Sequence, residues 1–123
     1  MEKALNIQIG GLHYKSFPYQ PIVLSANLGL NYFQGAIAKY IVRDKGDKIQ
    51  DINKAIHYCQ LAIELDQDKY KKKVTDADYI EYLNKELDEY VNQNQLPILI
   101  KNIMFMVGTC QYKQAIKLIK KLK

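Results

Sequence analysis

A chain of 123 residues with a net charge of +5 and 48% hydrophobic residues is typical of one small folded domain. No segment is long and uncharged enough to cross a membrane, and the first residues lack the basic start and apolar run of a signal peptide. We therefore expect a cytoplasmic protein that does not bind membranes. Its cysteines and histidines, Cys59, Cys110, His13 and His57, are too few at these spacings for a metal site or a disulfide framework. We expect reduced core thiols and no bound metal.

The first twenty residues show no helical period and are expected to be irregular or to form a short strand pair. His13 and Tyr14 follow Gly10-Gly11, a pair whose permissive backbone suits either a simple turn or a segment folded closely over a ligand. In such a loop, His13 either contacts a ligand or caps the end of a helix. Pro21 is suited to the first position of a short helix that Gly29 ends.

Two amphipathic helices are predicted next. The first begins after Asn31, a good capping residue, and runs to about Asp44, whereas the second begins after Asp47 and runs to about Leu65. The short polar connection between them favours an antiparallel hairpin. Tyr40 leans to the apolar side of the first helix and is expected at the border of the core. The apolar stripe of the second helix is predicted to contain Ile49, Ile52, Ile56, Cys59 and Ile63.

Cations and a tyrosine lie beside these apolar stripes. Helical spacing places Lys39 over Arg43 on the first helix and Lys54 near Tyr58 on the second, and the hairpin brings both faces together. Because like charges four residues apart repel each other mildly, an anionic ligand would explain their proximity. Arginine binds phosphate through two parallel N–H bonds, and lysine adds a point charge. The alternative is that Arg43 only forms an ion pair with Asp51.

Several separated residues form one longer pattern, which consists of His13-Tyr14, Gln20-Pro21, Gly35, Lys39-Tyr40-x-x-Arg43, Lys48 and Asp51-Ile52-x-Lys54-Ala55-x-x-Tyr58. With this pattern, residues 10–65 resemble the SaV-like family of phage proteins, some members of which are labelled nucleotide kinases. Ala36 departs from the resemblance, because a polar Asn is expected after the glycine. The resemblance implies a nucleotide-type ligand and favours a ligand-binding role for His13 and Tyr14.

The charged residues 66–74 are predicted to form a loop between the hairpin core of residues 10–65 and appended helices in residues 75–123. Thr75-Asp76-Ala77-Asp78 has the form of a capping box and begins a helix that runs to about Asn92. The inner side of this helix is expected to carry Tyr79, Tyr82, Leu83, Leu87, Tyr90 and Val91.

The last two predicted helices differ in character. Pro97 begins a helix that Gly108 ends, and its side chains are apolar almost all round. A helix of this kind in a small domain lies at the centre of the core or in a subunit interface, and we expect a homo-oligomer. Thr109 is expected to cap the final helix, whose lysines alternate with a core stripe. That alternation favours packing within the domain over binding to a membrane surface.

The sequence thus predicts one all-α domain over residues 1–123, with five to six helices built on an antiparallel helix hairpin. The favoured function is binding without catalysis. In this hypothesis, a phage protein in the host-cell cytoplasm sequesters a nucleotide or a cyclic nucleotide-type defence signal and needs no cofactor. The ligand-binding residues are predicted to be His13, Tyr14, Lys39, Arg43, Lys54 and Tyr58.

The alternative function is a nucleoside monophosphate kinase without a glycine-rich phosphate loop, so whether the protein is an enzyme stays open. No glycine is followed by the Gly-Lys-Ser/Thr sequence that would hold phosphates. Phosphoryl transfer would also require Mg²⁺, for which Asp44, Asp47 and Asp51 are the candidate ligands. No catalytic residue is assigned. Nucleic-acid binding by the lysine-rich C-terminus ranks last, because those lysines alternate with core positions.

Overall fold

The computed structural model describes residues 3–6, 16–44, 46–74 and 76–123, and within these ranges it is helical and contains no strand. Its six α-helices are α1 (Pro21–Leu28), α2 (Tyr32–Val42), α3 (Lys48–Glu64), α4 (Ala77–Asn94), α5 (Ile98–Gly108) and α6 (Tyr112–Ile119). Short 3₁₀ helices lie at Ala4–Asn6, Gln67–Lys72 and Lys120–Leu122. The predicted all-α fold is confirmed. None of the helices in the described part of the chain is long and apolar enough to span a membrane.

The ends of the first three helices follow directly from local sequence. Gly29 ends α1 in the left-handed conformation, with φ 62°. Asn31 caps α2 in a reciprocal box, in which its side chain accepts a hydrogen bond from the Gln34 N–H and the Gln34 side chain accepts one from the Asn31 N–H. Asp47 caps α3 by accepting a hydrogen bond from the Gln50 N–H at 2.9 Å. These three predictions are confirmed.

One hydrophobic core joins the two halves of the chain. Helices α2 and α3 pack together as the predicted hairpin, α6 lies against α3, and α5 contacts α2, α4 and α6. The largest aliphatic side chains in this core are Leu24, Ile37, Ile41, Ile52, Leu83, Leu87, Ile103, Met104 and Ile119. Helix α5 is therefore a core helix, although Ile98 in its first turn is 64% exposed.

The segment before α1 is fixed to α4 and to the N-terminal 3₁₀ turn. The side chain of Asn94 accepts a hydrogen bond from the Tyr19 N–H at 3.0 Å and donates one to the Tyr19 carbonyl at 2.7 Å. The Tyr19 hydroxyl donates to Glu86 at 2.6 Å, and burial together with this bond raises the pKa of Tyr19 to about 12. Gln20 donates to the carbonyl of Leu5, which holds the turn beside α1.

Two residues predicted to face the core lie at its edge. Ile49 is 50% exposed, because it lies in the first turn of α3, where Asp51 and Ile52 take the buried positions. Tyr82 is 42% exposed, and its hydroxyl donates a hydrogen bond to the Asn27 carbonyl at 3.2 Å. A tyrosine that uses its hydroxyl in this way remains at the boundary between core and solvent.

Three boundaries in the C-terminal half differ from the prediction. The cap of α4 is Asp76, which accepts hydrogen bonds from two backbone N–H groups, whereas Thr75 lies outside the described residues. Residues 66–74, predicted to be a loop, contain the 3₁₀ helix Gln67–Lys72. Thr109 does not cap α6, because its hydroxyl donates back to the Phe105 carbonyl of α5 at 2.8 Å.

Gly108 ends α5, as predicted, and also has a packing role. It is the last residue of α5, and the left-handed conformation that follows belongs to Cys110, with φ 58°. A Cβ atom at Gly108 would lie 3.0 Å from the Leu83 side chain. The glycine therefore allows α5 to pack closely on α4.

Candidate functional site

The ring of Tyr40 lies among three cations from the helix hairpin. The Nζ atom of Lys39 is 5.1 Å from the ring centroid, the Nζ atom of Lys54 is 5.3 Å from it, and the Cζ atom of Arg43 is 5.8 Å from it. All three distances fall within the range of about 6 Å in which an aromatic ring attracts a cation. Lys39, Arg43 and Lys54 around Tyr40 are called the basic cluster below. Because α3 supplies Lys54, and α2 and the residue that follows it supply the rest, the cluster depends on the hairpin.

Tyr58 continues this cluster towards the N-terminus of α2. Its ring stacks on Tyr40 with the centroids 6.0 Å apart and an interplanar angle of 16°. It also meets the edge of Tyr32 at a centroid distance of 6.0 Å. A hydrogen bond with Tyr32 raises the pKa of the Tyr58 hydroxyl above its ordinary value of 10.0. The three tyrosines therefore form a continuous aromatic surface beside the cations.

Arg43 forms an ion pair with Asp51, as the structural alternative predicted. The Arg43 Nη1 atom lies 3.8 Å from Asp51 Oδ1, which is longer than a charge-assisted hydrogen bond of about 2.7–2.9 Å. Asp51 is only 4% exposed. Within the described part of the chain, the buried Arg43 Nε and Asp51 Oδ2 atoms have no hydrogen-bond partner. The pair thus holds Arg43 in place without using all of its donors.

A groove of about 860 Å³ opens between α1, α2, the Tyr58 side chain of α3 and the N-terminal 3₁₀ turn. Its lining is largely apolar and aromatic, and includes Leu5, Pro21, Ile22, Leu30, Tyr32, Tyr40 and Tyr58. Lys39 is the charged side chain among the described residues that line it. A volume of this size is ordinary for a small-molecule site. The groove therefore combines an aromatic wall with a positive charge at one end.

Four of the predicted site residues come together in the structure. Lys39 and Tyr58 line the groove, whereas Arg43 and Lys54 contact the Tyr40 ring without lining it. His13 and Tyr14 lie outside the described residues, so their part in the site stays a prediction.

Tyr40 lies partly buried against the core, as predicted for a residue at its border. Its place among three cations and the groove beside it were not predicted, although the cations one residue before Tyr40 and three residues after it are a usable signal for the former. The groove had no sequence signal, because it depends on where α1 packs against α2.

The described titratable groups outside the basic cluster and the groove include both cysteines. Both cysteines are buried and unbridged, as predicted, and burial raises the pKa of Cys59 to about 12, which makes it an unreactive thiol. Among the residues that the structure describes, no group of three His, Cys, Asp or Glu side chains is arranged to hold a metal ion.

Comparisons of the chain with protein-family models, curated proteins and solved structures gave no match. The resemblance of residues 10–65 to the SaV-like family therefore stays a prediction. The geometry of the basic cluster and the groove is therefore the basis on which a function can be proposed.

Proposed function

We propose that the protein binds and retains a nucleotide or a closely related phosphorylated molecule without changing it chemically. The anionic group lies at the basic cluster, and the ring of the ligand lies in the groove. The observation that supports this proposal is the convergence of Lys39, Arg43 and Lys54 on the Tyr40 ring, next to an aromatic groove.

The charges of the basic cluster favour an anion. Since each cation lies within 6 Å of one ring centroid, any two of them are less than about 12 Å apart and repel each other by at least about 0.3 kcal/mol in water before screening by salt. Asp51 offsets one of these charges through its pair with Arg43. A phosphate group carries up to two negative charges and can form charge-assisted hydrogen bonds to lysine and arginine.

The groove suits the heteroaromatic part of a nucleotide. Tyr32 and Tyr58 line it with their ring centroids 6.0 Å apart, and Pro21 and Ile22 supply apolar surface from α1. Stacking of a base on an aromatic side chain contributes about 1–3 kcal/mol and tolerates different bases. A site that binds by stacking and charge is therefore expected to bind a class of nucleotides and not to select one base.

Retention fits the site better than phosphoryl transfer. A kinase needs two nucleotide sites joined by a metal ion that carboxylates hold in place. The carboxylate that contacts the basic cluster, Asp51, is paired with Arg43 and almost completely buried. It is therefore poorly placed to hold Mg²⁺ between two substrates. Sequestration of a signal, including a cyclic nucleotide of host defence, needs affinity for the free ligand and no chemistry.

The test is retention of ligand from a mixture. The protein is incubated with nucleoside mono-, di- and triphosphates, cyclic nucleotides and ADP-ribose, freed of unbound ligand and denatured, and the released molecules are separated by chromatography. Recovery of one class unchanged supports the proposal, whereas a changed phosphate count supports the kinase. No retention by the wild-type protein at micromolar concentration contradicts both.

A matched pair of variants ties retention to the site. Lys39→Gln combined with Lys54→Gln removes two charges from the basic cluster, and we expect retention to be lost. Lys113→Gln combined with Lys117→Gln removes the same charge from exposed positions on α6 and should retain ligand as the wild type does. Equal loss in both would mean that net charge, and not the cluster, is responsible.

A further inference from the structure

Gly35 occupies a helical position at which the described part of the fold does not require glycine. It lies inside α2 and does not have the positive φ of Gly29 or Gly46. A Cβ atom added to Gly35 would meet the Ser25 hydroxyl at 3.6 Å, an ordinary contact, and no other described side chain within 4 Å. Since glycine in a helix interior is less stable than alanine, stability alone favours alanine here.

The space left by the missing side chain belongs to the groove. Gly35 lines the groove together with Tyr32, three residues earlier, and Lys39, four residues later, so the three share one face of α2. Gly108 offers a contrast, because the space beside it is filled by Leu83. At Gly35 the helix backbone itself forms the wall of an open groove.

We propose that Gly35 keeps this wall open so that the flat ring of a mononucleotide lies against the backbone of α2. This inference rests on the proposed function and assigns a place to each end of the ligand. The ring lies at Gly35, and the phosphate extends along α2 to Lys39 and towards Arg43. The helix rises about 6 Å between Gly35 and Lys39, so one small ligand can reach both residues.

In this inference, the ring and the phosphate of the ligand bind to different parts of the site. A ligand that has a planar ring needs the open wall at Gly35, because a Cβ atom there would occupy the place of the ring. Inorganic phosphate has no ring and uses only the basic cluster. Substitution of Gly35 should therefore affect nucleotides and leave phosphate binding unchanged.

The experiment compares Gly35→Ala with the wild-type protein. Thermal unfolding measures stability, calorimetric titration measures the affinity for AMP and UMP, and phosphorus NMR titration measures the affinity for inorganic phosphate. We expect the melting temperature to rise by about 2–6 °C, because alanine favours the helix. We expect the affinity for AMP and UMP to fall at least about tenfold and the affinity for phosphate to stay the same. Asn92→Ala, an exposed substitution on α4 that also improves helix propensity, controls for stabilisation alone.

The outcomes separate this inference from the proposed function. A more stable Gly35→Ala protein that binds phosphate normally and nucleotides weakly supports the inference. A lower melting temperature, unchanged nucleotide affinity, or an equal loss of phosphate affinity overturns it, while nucleotide binding by the wild type leaves the proposed function standing. If the wild-type protein binds neither AMP nor UMP, the proposed function fails and the inference fails with it.

Discussion

Replacing Lys54 with glutamine separates binding from stability more cleanly than any other change in the basic cluster. Lys54 forms no salt bridge with another described residue, and its charged end lies 5.3 Å from the Tyr40 ring centroid. Its loss removes a cation–π contact of about 0.5–1 kcal/mol. It also removes repulsion of about 0.3–1 kcal/mol from each of the two neighbouring cations. Because these terms oppose each other, the free energy of unfolding should change by less than about 1.5 kcal/mol.

The same substitution should have a large effect on ligand affinity. A hydrogen bond to a charged group contributes about 1.5–3 kcal/mol, so Lys54→Gln should weaken nucleotide binding by about 10- to 150-fold. The difference from the wild type should shrink as salt is raised, because salt screens partly exposed charges.

Calorimetric titration at two salt concentrations and thermal unfolding of the same samples measure both quantities. Lys117→Gln, an exposed substitution on α6 with the same change in net charge, is the control and should bind as the wild type does. A Lys54→Gln protein that melts several degrees lower but binds nucleotide normally would show that Lys54 only packs against Tyr40. Equal loss in the control would assign the effect to net charge.

The remaining predictions concern Arg43, alkaline pH and assembly. Arg43→Ala should weaken nucleotide binding, and it should lower the free energy of unfolding by about 1–3 kcal/mol because Asp51 stays buried without its partner. Arg43→Lys should restore part of the affinity and part of the stability. Normal affinity in a destabilised Arg43→Ala protein would refute the binding role of Arg43. Burial raises the pKa of Cys59 from its ordinary value of 9.0 to about 12, so the unfolded chain loses this proton first. The free energy of unfolding should therefore fall above pH 9, and this thiol should contribute up to about 1.4 kcal/mol per pH unit to the fall. Chemical denaturation at several pH values should show that wild type and Cys59→Ala differ in how steeply the free energy of unfolding falls with pH. The protein is expected to be a homo-oligomer, and light scattering that gives the 14.3 kDa monomer at micromolar concentration would contradict this.

The fold was predictable where one residue determines a local conformation. Asn31 and Asp47 cap helices because their side chains reach backbone N–H groups only three residues away. Thr109 has the same capacity, but its hydroxyl bonds backwards to α5, and the choice between the two directions depends on how α5 and α6 pack. Ile49 has the helical spacing of a core residue, yet the buried positions at the start of α3 belong to Asp51 and Ile52.

The candidate site was predictable only in part for a similar reason. Helical spacing paired Lys39 with Arg43 and Lys54 with Tyr58, and the short connection placed the two pairs on neighbouring helices. Spacing within one helix could not show that Tyr40 would lie among cations from both arms of the hairpin, because that depends on how α3 is rotated against α2. The groove also depends on the position of α1 relative to α2, which no pattern of residues in the sequence specifies.

Calorimetric titration of the wild-type protein with AMP, UMP, a cyclic nucleotide and ADP-ribose tests the central claim most directly, with the Lys39→Gln, Lys54→Gln double variant titrated alongside. We predict saturable binding of at least one of these ligands to the wild type and an affinity at least about 100-fold lower in the double variant, which should remain folded. Absence of saturable binding to the wild type, or equal binding to both proteins, would contradict the account.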